Sequence, residues 1–106
     1  MEAQAKELWQ SYRAEPTTQH RNRLVEHYMG LVEMHARRLY STMPRSVELD
    51  DLVQAGVFGL ISAVEGFEPE RAYKFETYSA LRIRGSILDA VRAMDWVPRT
   101  ARKIQR

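Results

Sequence analysis

The stretch Tyr73–Arg99, YKFETYSALRIRGSILDAVRAMDWVPR, decides how the rest of the chain is read. Wound as a helix at ~100° per residue, it separates into two faces. Ala80, Ile83, Ile87, Val91 and Met94 fall on one arc and require burial. Phe75, Tyr78, Arg82, Ser86, Asp89 and Arg92 fall on the opposite arc, where rings stand among cations. An ordinary solvated face would carry Glu and Lys. Rings stack on unpaired bases while guanidinium groups hold phosphates, so this face predicts a nucleic-acid ligand, single-stranded by preference. The competing reading is a helix buried on two sides, because aromatics at helical spacing usually belong to a core.

Charge distribution favours the first reading. The formal net charge is +2, but it is segregated. Residues 46–70 carry no Lys or Arg and six acids: Glu48, Asp50, Asp51, Glu65, Glu68 and Glu70. Residues 71–106 carry nine Lys/Arg against three acids. Blocks of −6 and +6 predict two surfaces, an acidic one for a basic protein and a basic one for a polyanion. Mutual neutralisation across the fold is the alternative, but exposed ion pairs contribute only ~0–1 kcal/mol each.

Outward from this stretch the pattern is helical throughout, with no segment of strand period. Ala3–Ala14 reads as a short helix with Leu8, Trp9 and Tyr12 on its apolar side. Glu15-Pro16 ends it, and Thr17 or Thr18 caps the next. Leu24, Val25, Tyr28, Leu31, Val32, His35, Ala36 and Leu39 then follow i, i+3, i+4, i+7 spacing up to Tyr40. Gly30 splits or kinks that run; propensity does not choose between the two. Ser41–Val47 is a turn, and a helix starts at Glu48–Asp51, where acids complement the dipole. Leu49, Leu52, Val53, Val57, Leu60, Ile61 and Val64 form its inner stripe, while Gly56, Gly59 and Ala63 keep one side thin for close packing. Gly66 closes it, and Phe67–Glu70 leads back to the opening stretch. The expected fold is all-α, a compact bundle of roughly five to six helices around one core.

Composition excludes several classes. At 106 residues the chain is one domain, and it has no cysteine, so disulfide frameworks and thiolate chemistry are absent. No apolar run approaches the roughly 18 residues that span a bilayer, and no signal peptide opens the chain; a cytoplasmic protein with no membrane contact is expected. His20, His27 and His35 have no carboxylate or cysteine at ligand spacing, so no metal or other cofactor is expected. Asp50 and Asp51 diverge on a helix and do not suggest a catalytic pair. Gly56-Val57-Phe58-Gly59 matches the GxxG of some RNA-binding loops, but in an acidic apolar helix it reads as packing. No catalytic residue set emerges, and no enzyme is expected.

Two runs carry a family resemblance. DLVQAGVFGLISAVEGF (Asp51–Phe67) and YKFETY (Tyr73–Tyr78) followed by RIR (Arg82–Arg84) resemble the second conserved region of bacterial RNA polymerase sigma factors. RGSILD (Arg84–Asp89) and DWVPR (Asp95–Arg99) resemble the flagellar and related sporulation group. The likeness covers most of Leu24–Arg102, whereas residues before Thr17 match loosely. It implies residues 1–97 as the region 2 domain with a short helical extension, and 98–106 as the start of the next helix, truncated. The −35-recognising region would lie beyond Arg106.

The resemblance implies partners and site residues. The DDLVQAG helix would dock on the clamp coiled coil of the polymerase's largest catalytic subunit through Asp50, Asp51, Gln54, Val57 and Ile61. Ala55 stands where housekeeping factors often carry an acid. The following helix would separate the strands of the promoter −10 element and capture flipped bases of the non-template strand. Tyr78 is the stacking position, and Tyr73, Lys74 and Phe75 line the same strand or support its pocket. Housekeeping factors have two tryptophans at Leu81 and Arg82 and a glutamine at Gly85, so weaker, more promoter-dependent melting is implied. Arg82, Asp89 and Arg92 would read or position the upstream −10 bases. Arg84 would bind phosphate or pair within the fold, and Arg99, Arg102 and Lys103 would hold the upstream duplex. An anti-sigma protein is an implied inhibitor. Two other readings compete: an interaction module held by a regulatory protein without DNA binding, and a helix-turn-helix duplex binder. The long ring-bearing helix argues against the latter.

Overall fold

The computed structural model describes residues 2–70 and 73–93. Five helices, with no strand, make up the described residues: α1 (Ala3–Ala14), α2 (Thr18–His27), α3 (Met29–Tyr40), α4 (Leu49–Gly66) and α5 (Phe75–Ala93). The all-α expectation holds.

Local chemistry sets the boundaries. Beyond α1, Glu15 is extended ahead of Pro16, as a residue preceding proline should be. Thr17 is the cap of α2, its side chain accepting the His20 N–H at 3.1 Å. The break between α2 and α3 falls at Tyr28 (φ −101°, ψ 10°), not at Gly30, which sits exposed within α3. Tyr28 is drawn inward: its ring is buried and its hydroxyl accepts the Trp9 indole N–H at 3.1 Å. At the end of α3, the hydroxyls of Ser41 and Thr42 donate to the carbonyls of Arg38 and Leu39, both at 2.7 Å, supplying partners that the helix end lacks.

The core is the meeting of the α2–α5 stripes. Leu24, Val32, Leu52, Leu60, Ile83 and Ile87 are fully excluded from water. The pairing of α4 with α5 is the most extensive contact of the bundle, and Gly59 makes it possible. A Cβ there would come within 2.3 Å of the Arg82 carbonyl oxygen and 2.7 Å of the Ile83 Cα. Gly56 gives similar room to Val32 and Ile87. The GxxG pair thus serves helix packing, as its helical setting suggested: Gly59 lies against the α5 backbone and Gly56 against core side chains. Ser86 adds a bond across the seam, its hydroxyl donating to the Ala55 carbonyl at 2.7 Å.

The two-face division of α5 needs correction at four positions. Phe75, assigned to the outward arc, is 1% exposed. It borders both faces, and rings from α1, the α2–α3 junction and the end of α4 close over it. Ser86 is half-buried through its bond to Ala55. Ser79, not Ala80, is fully buried, its hydroxyl satisfied by the Glu76 carbonyl at 3.3 Å; Ala80 is half-buried. Met94 lies outside the described residues.

Candidate nucleic-acid interface

Among the described residues, Trp9, Tyr12, Tyr28, Phe67, Tyr73, Phe75 and Tyr78 form one connected ring cluster running from the core to the surface. Trp9 is 3% exposed and lies 5.3 Å from Phe75 and 5.4 Å from Phe67, between ring centroids. Tyr28 packs on Phe75 at 4.4 Å, and Tyr12 stands edge-on to Trp9. Burial raises the Tyr28 hydroxyl above its ordinary pKa, with the Trp9 bond opposing and Glu76 and Glu2 adding to the rise. Phe67, the residue that ends α4, passes the contact outward to Tyr78 at 5.4 Å and Tyr73 at 6.1 Å. Tyr73 then lies flat on Tyr78 and is 42% exposed. Such ring pairs contribute ~0.5–1.5 kcal/mol each beyond burial, so the outer rings are braced by inner ones.

Cations border the outer rings. The Arg82 guanidinium carbon stands 4.9 Å from the centre of the half-buried Tyr78 ring, and its Nη1 donates to the Ser62 hydroxyl at 3.0 Å. Lys74 is exposed beside Tyr73, and both open onto a cleft of about 630 Å³ that Tyr28, Phe67 and Phe75 also line. A groove of about 400 Å³ between α4 and α5 is bordered by Ser62, Arg82, Gly85 and Asp89. Arg92 pairs with Asp89 at 3.0 Å, both side chains largely exposed. Tyr78, Arg82, Asp89 and Arg92 therefore share one flank of α5, as the periodicity required. Leu81 is 80% exposed next to them in sequence.

Other candidates are placed elsewhere. Phe75 supports the cluster from inside, 1% exposed at the base of the cleft beside Tyr73 and Lys74. Arg84 lies on the α3 side of α5, where its charge and that of Arg38 act on buried His35. Desolvation first, then those two cations, lower the His35 pKa below its ordinary value. Arg99, Arg102 and Lys103 fall outside the described residues.

The polymerase candidates occupy one face of α4. At ~100° per residue, Asp50, Gln54, Val57 and Ile61 line up, with Asp51 at the edge of the same face. Asp50, Asp51 and Gln54 are exposed, while Val57 and Ile61 are half-buried. The Gln54 amide donates to Asp50 at 3.0 Å, holding two polar groups in a fixed relation. Phe58 stands on the same side at 71% exposure, a residue the sequence reading passed over. Further acids pair with cations of the same chain at the surface: Glu65 with Arg21 at 3.3 Å, and Glu70 with Arg13.

Sequence reasoning missed Phe67 as the hub between inner and outer rings, and Ser62 as the Arg82 partner. Phe67 carried a visible signal, an aromatic directly after the helix-ending Gly66.

Among the described residues no helix is long and apolar enough to cross a membrane. Residues 24–97 match the sigma-70 region 2 family. The RNA polymerase sigma-D factor of Bacillus subtilis (strain 168) is 48% identical over 80 residues, covering 76% of this chain and 32% of that protein. The RNA polymerase sigma factor FliA of Escherichia coli (strain K12) is 49% identical over 80 residues, covering 76% and 34%. FliA of Yersinia enterocolitica is 47% identical over 83 residues, covering 78% and 36%. The chain spans about a third of the length of these curated relatives. With the family match running across the α2–α5 core and the ring-bearing face of α5, the chain belongs to the sigma-70 region 2 family.

Proposed function

We propose that this chain is the core-binding and −10-recognising part of an alternative sigma factor in transcription initiation, acting in the cytoplasm by binding and not by catalysis. The observation that carries this is the Tyr73–Tyr78 pair, braced by Phe67 and bordered by Arg82, at the start of α5. A base drawn from its duplex stacks on that pair, and the flanking cations hold its phosphates. Base–aromatic stacking contributes ~1–3 kcal/mol per base, comparable to the cost of extruding one. Arg82, Asp89 and Arg92 face the upstream bases, and Arg84 takes phosphate on the other flank. Arg99, Arg102 and Lys103 are assigned to the upstream duplex on the family resemblance alone. The exposed face of α4, with Asp50, Asp51, Gln54, Val57 and Ile61, meets the clamp coiled coil of the polymerase's largest subunit. The identity to sigma-D and FliA supports placing it in the flagellar-type group.

Titrating labelled single-stranded and duplex −10 oligonucleotides at two salt concentrations tests the reading. A salt-dependent preference for the single strand is expected. Equal affinity for both forms would count against strand capture.

A second reading is favoured by Phe58 and Leu81, which are 71% and 80% exposed. Large apolar side chains this open suit a protein cover, and an anti-sigma protein would occlude both the α4 and α5 faces. Tight association with such a regulator and no measurable DNA affinity would favour this reading.

A further inference from the structure

Helix α1 precedes the family match, which begins at Leu24. It places Ala5 and Trp9 in the core cluster, with Leu8 and Tyr12 packed against it. Its largest buried side chain, Trp9, is aimed at the rings. Trp9 contacts Phe67 and Phe75 at 5.4 and 5.3 Å, and its N–H bond to the Tyr28 hydroxyl fixes the rotation of the indole. Phe67 has Trp9 on its inner side and touches Tyr73 and Tyr78 on its outer side. A second tie joins α1 to the same region: Arg13 pairs with Glu70, in the loop between Phe67 and Tyr73.

We propose that α1 is a working part of the strand-capturing surface, with Trp9 as a positioning residue that sets Phe67 and, through it, the Tyr73–Tyr78 pair. This rests on the reading of that pair as the base-stacking surface. Trp9 touches no base; it fixes the depth and tilt at which the outer rings sit. Without it, Phe67 relaxes into the vacated volume, and the outer pair loses its backing while the α4 face stays in place.

The test uses the 106-residue chain and a fluorescein-labelled 12-nucleotide oligodeoxyadenylate, read by anisotropy below the melting temperature of every variant. Trp9→Ala is expected to weaken single-strand binding by about 5-fold or more, the equivalent of one or two lost ring contacts. Trp9→Phe keeps a ring without the N–H and is expected to fall between that and the parent chain, and it stands in should Trp9→Ala fail to fold. Val91→Ala is the control, a core truncation in α5 roughly 20 Å along the helix from Tyr78. At matched loss of thermal stability, Val91→Ala should leave binding within about twofold, since it removes no ring contact. Equal weakening in both variants, or none in the Trp9 variants while Tyr78→Ala weakens binding, overturns the proposal. If Tyr78→Ala also leaves binding unchanged, the base-stacking reading itself is what fails.

Discussion

The ring of Tyr73 lies on that of Tyr78 with 5.6 Å between centroids and 14° between planes. Of the ring contacts around Tyr78 this is the near-parallel one, the geometry that a stacked base continues. The pair therefore acts as one platform, and its members should be energetically coupled. Tyr73→Ala and Tyr78→Ala are each expected to weaken single-strand binding by ~1–3 kcal/mol. The double variant should lose clearly less than the sum of the two, because each truncation already breaks the stack. Isothermal titration of the four chains measures the coupling, and strict additivity would show that the rings act separately.

Gly59 and Gly85 both lie inside helices yet should respond oppositely to alanine. At Gly59 a Cβ meets the backbone of Arg82 and Ile83, which cannot rotate away. Gly59→Ala should push α4 from α5 and lower stability by about 3 kcal/mol, the upper end for overpacking. At Gly85 nothing lies within 4 Å of the added methyl. Gly85→Ala should raise stability by up to about 1 kcal/mol through helix propensity. Urea denaturation of the two variants checks both signs.

On α4, Asp51 and Gln54 are both exposed. Asp51→Lys and Gln54→Ala are expected to weaken core polymerase binding by about tenfold or more, as loss of a charge-assisted contact does. Gln54→Ala should keep the unfolding free energy within ~0.5 kcal/mol of the parent, as surface sites generally do. Asp51→Lys reverses a charge in the first turn of α4 and should cost about 1 kcal/mol, too little to unfold the domain. A pull-down titration against core enzyme, with thermal melts alongside, separates the two effects. Unchanged polymerase binding would move the contact elsewhere.

His35 makes the fold pH-sensitive in a definite direction. It is 8% exposed, and burial together with Arg38 and Arg84 holds its pKa below the ordinary 6.5. The unfolded chain therefore takes up the proton first. Stability from this site is complete above pH ~6.5 and falls as the pH drops below it, levelling off below the folded-state pKa. His35→Gln should flatten that part of the profile, with His20 and His27 cancelling in the comparison. Denaturation midpoints at pH 7.5 and 5.5 for both chains provide the measurement; an equal drop in both would remove His35 as the cause.

The bundle was legible in the sequence because its strongest signals are local. The apolar stripes of α4 and α5 repeat at helical spacing, and Gly56 and Gly59 mark where the two helices approach. What escaped depends on residues distant in sequence. Phe75 looked outward because it sits at the edge of its helix's buried arc; Trp9, Tyr28 and Phe67, from three other places, enclose it. The α2–α3 break followed a buried tyrosine that must reach Trp9, where Gly30 was the more obvious breaker. Ser79 was left off the buried arc because it is polar, yet it can be buried because its own helix backbone satisfies its hydroxyl. In the site, Tyr78, Arg82, Asp89 and Arg92 could be placed on one flank by period alone. The stacking of Tyr73 on Tyr78 could not, since Tyr73 precedes the helix.

The most direct test of base capture replaces one adenine of a single-stranded −10 oligonucleotide with 2-aminopurine, whose fluorescence is quenched on stacking. Scanned through the sequence, one position should be strongly quenched on binding the parent chain and the Tyr78→Phe variant. In the Tyr78→Ala variant that quench should vanish under saturating protein. The same quench in Tyr78→Ala would contradict the account, because the base would then be stacking on something other than Tyr78.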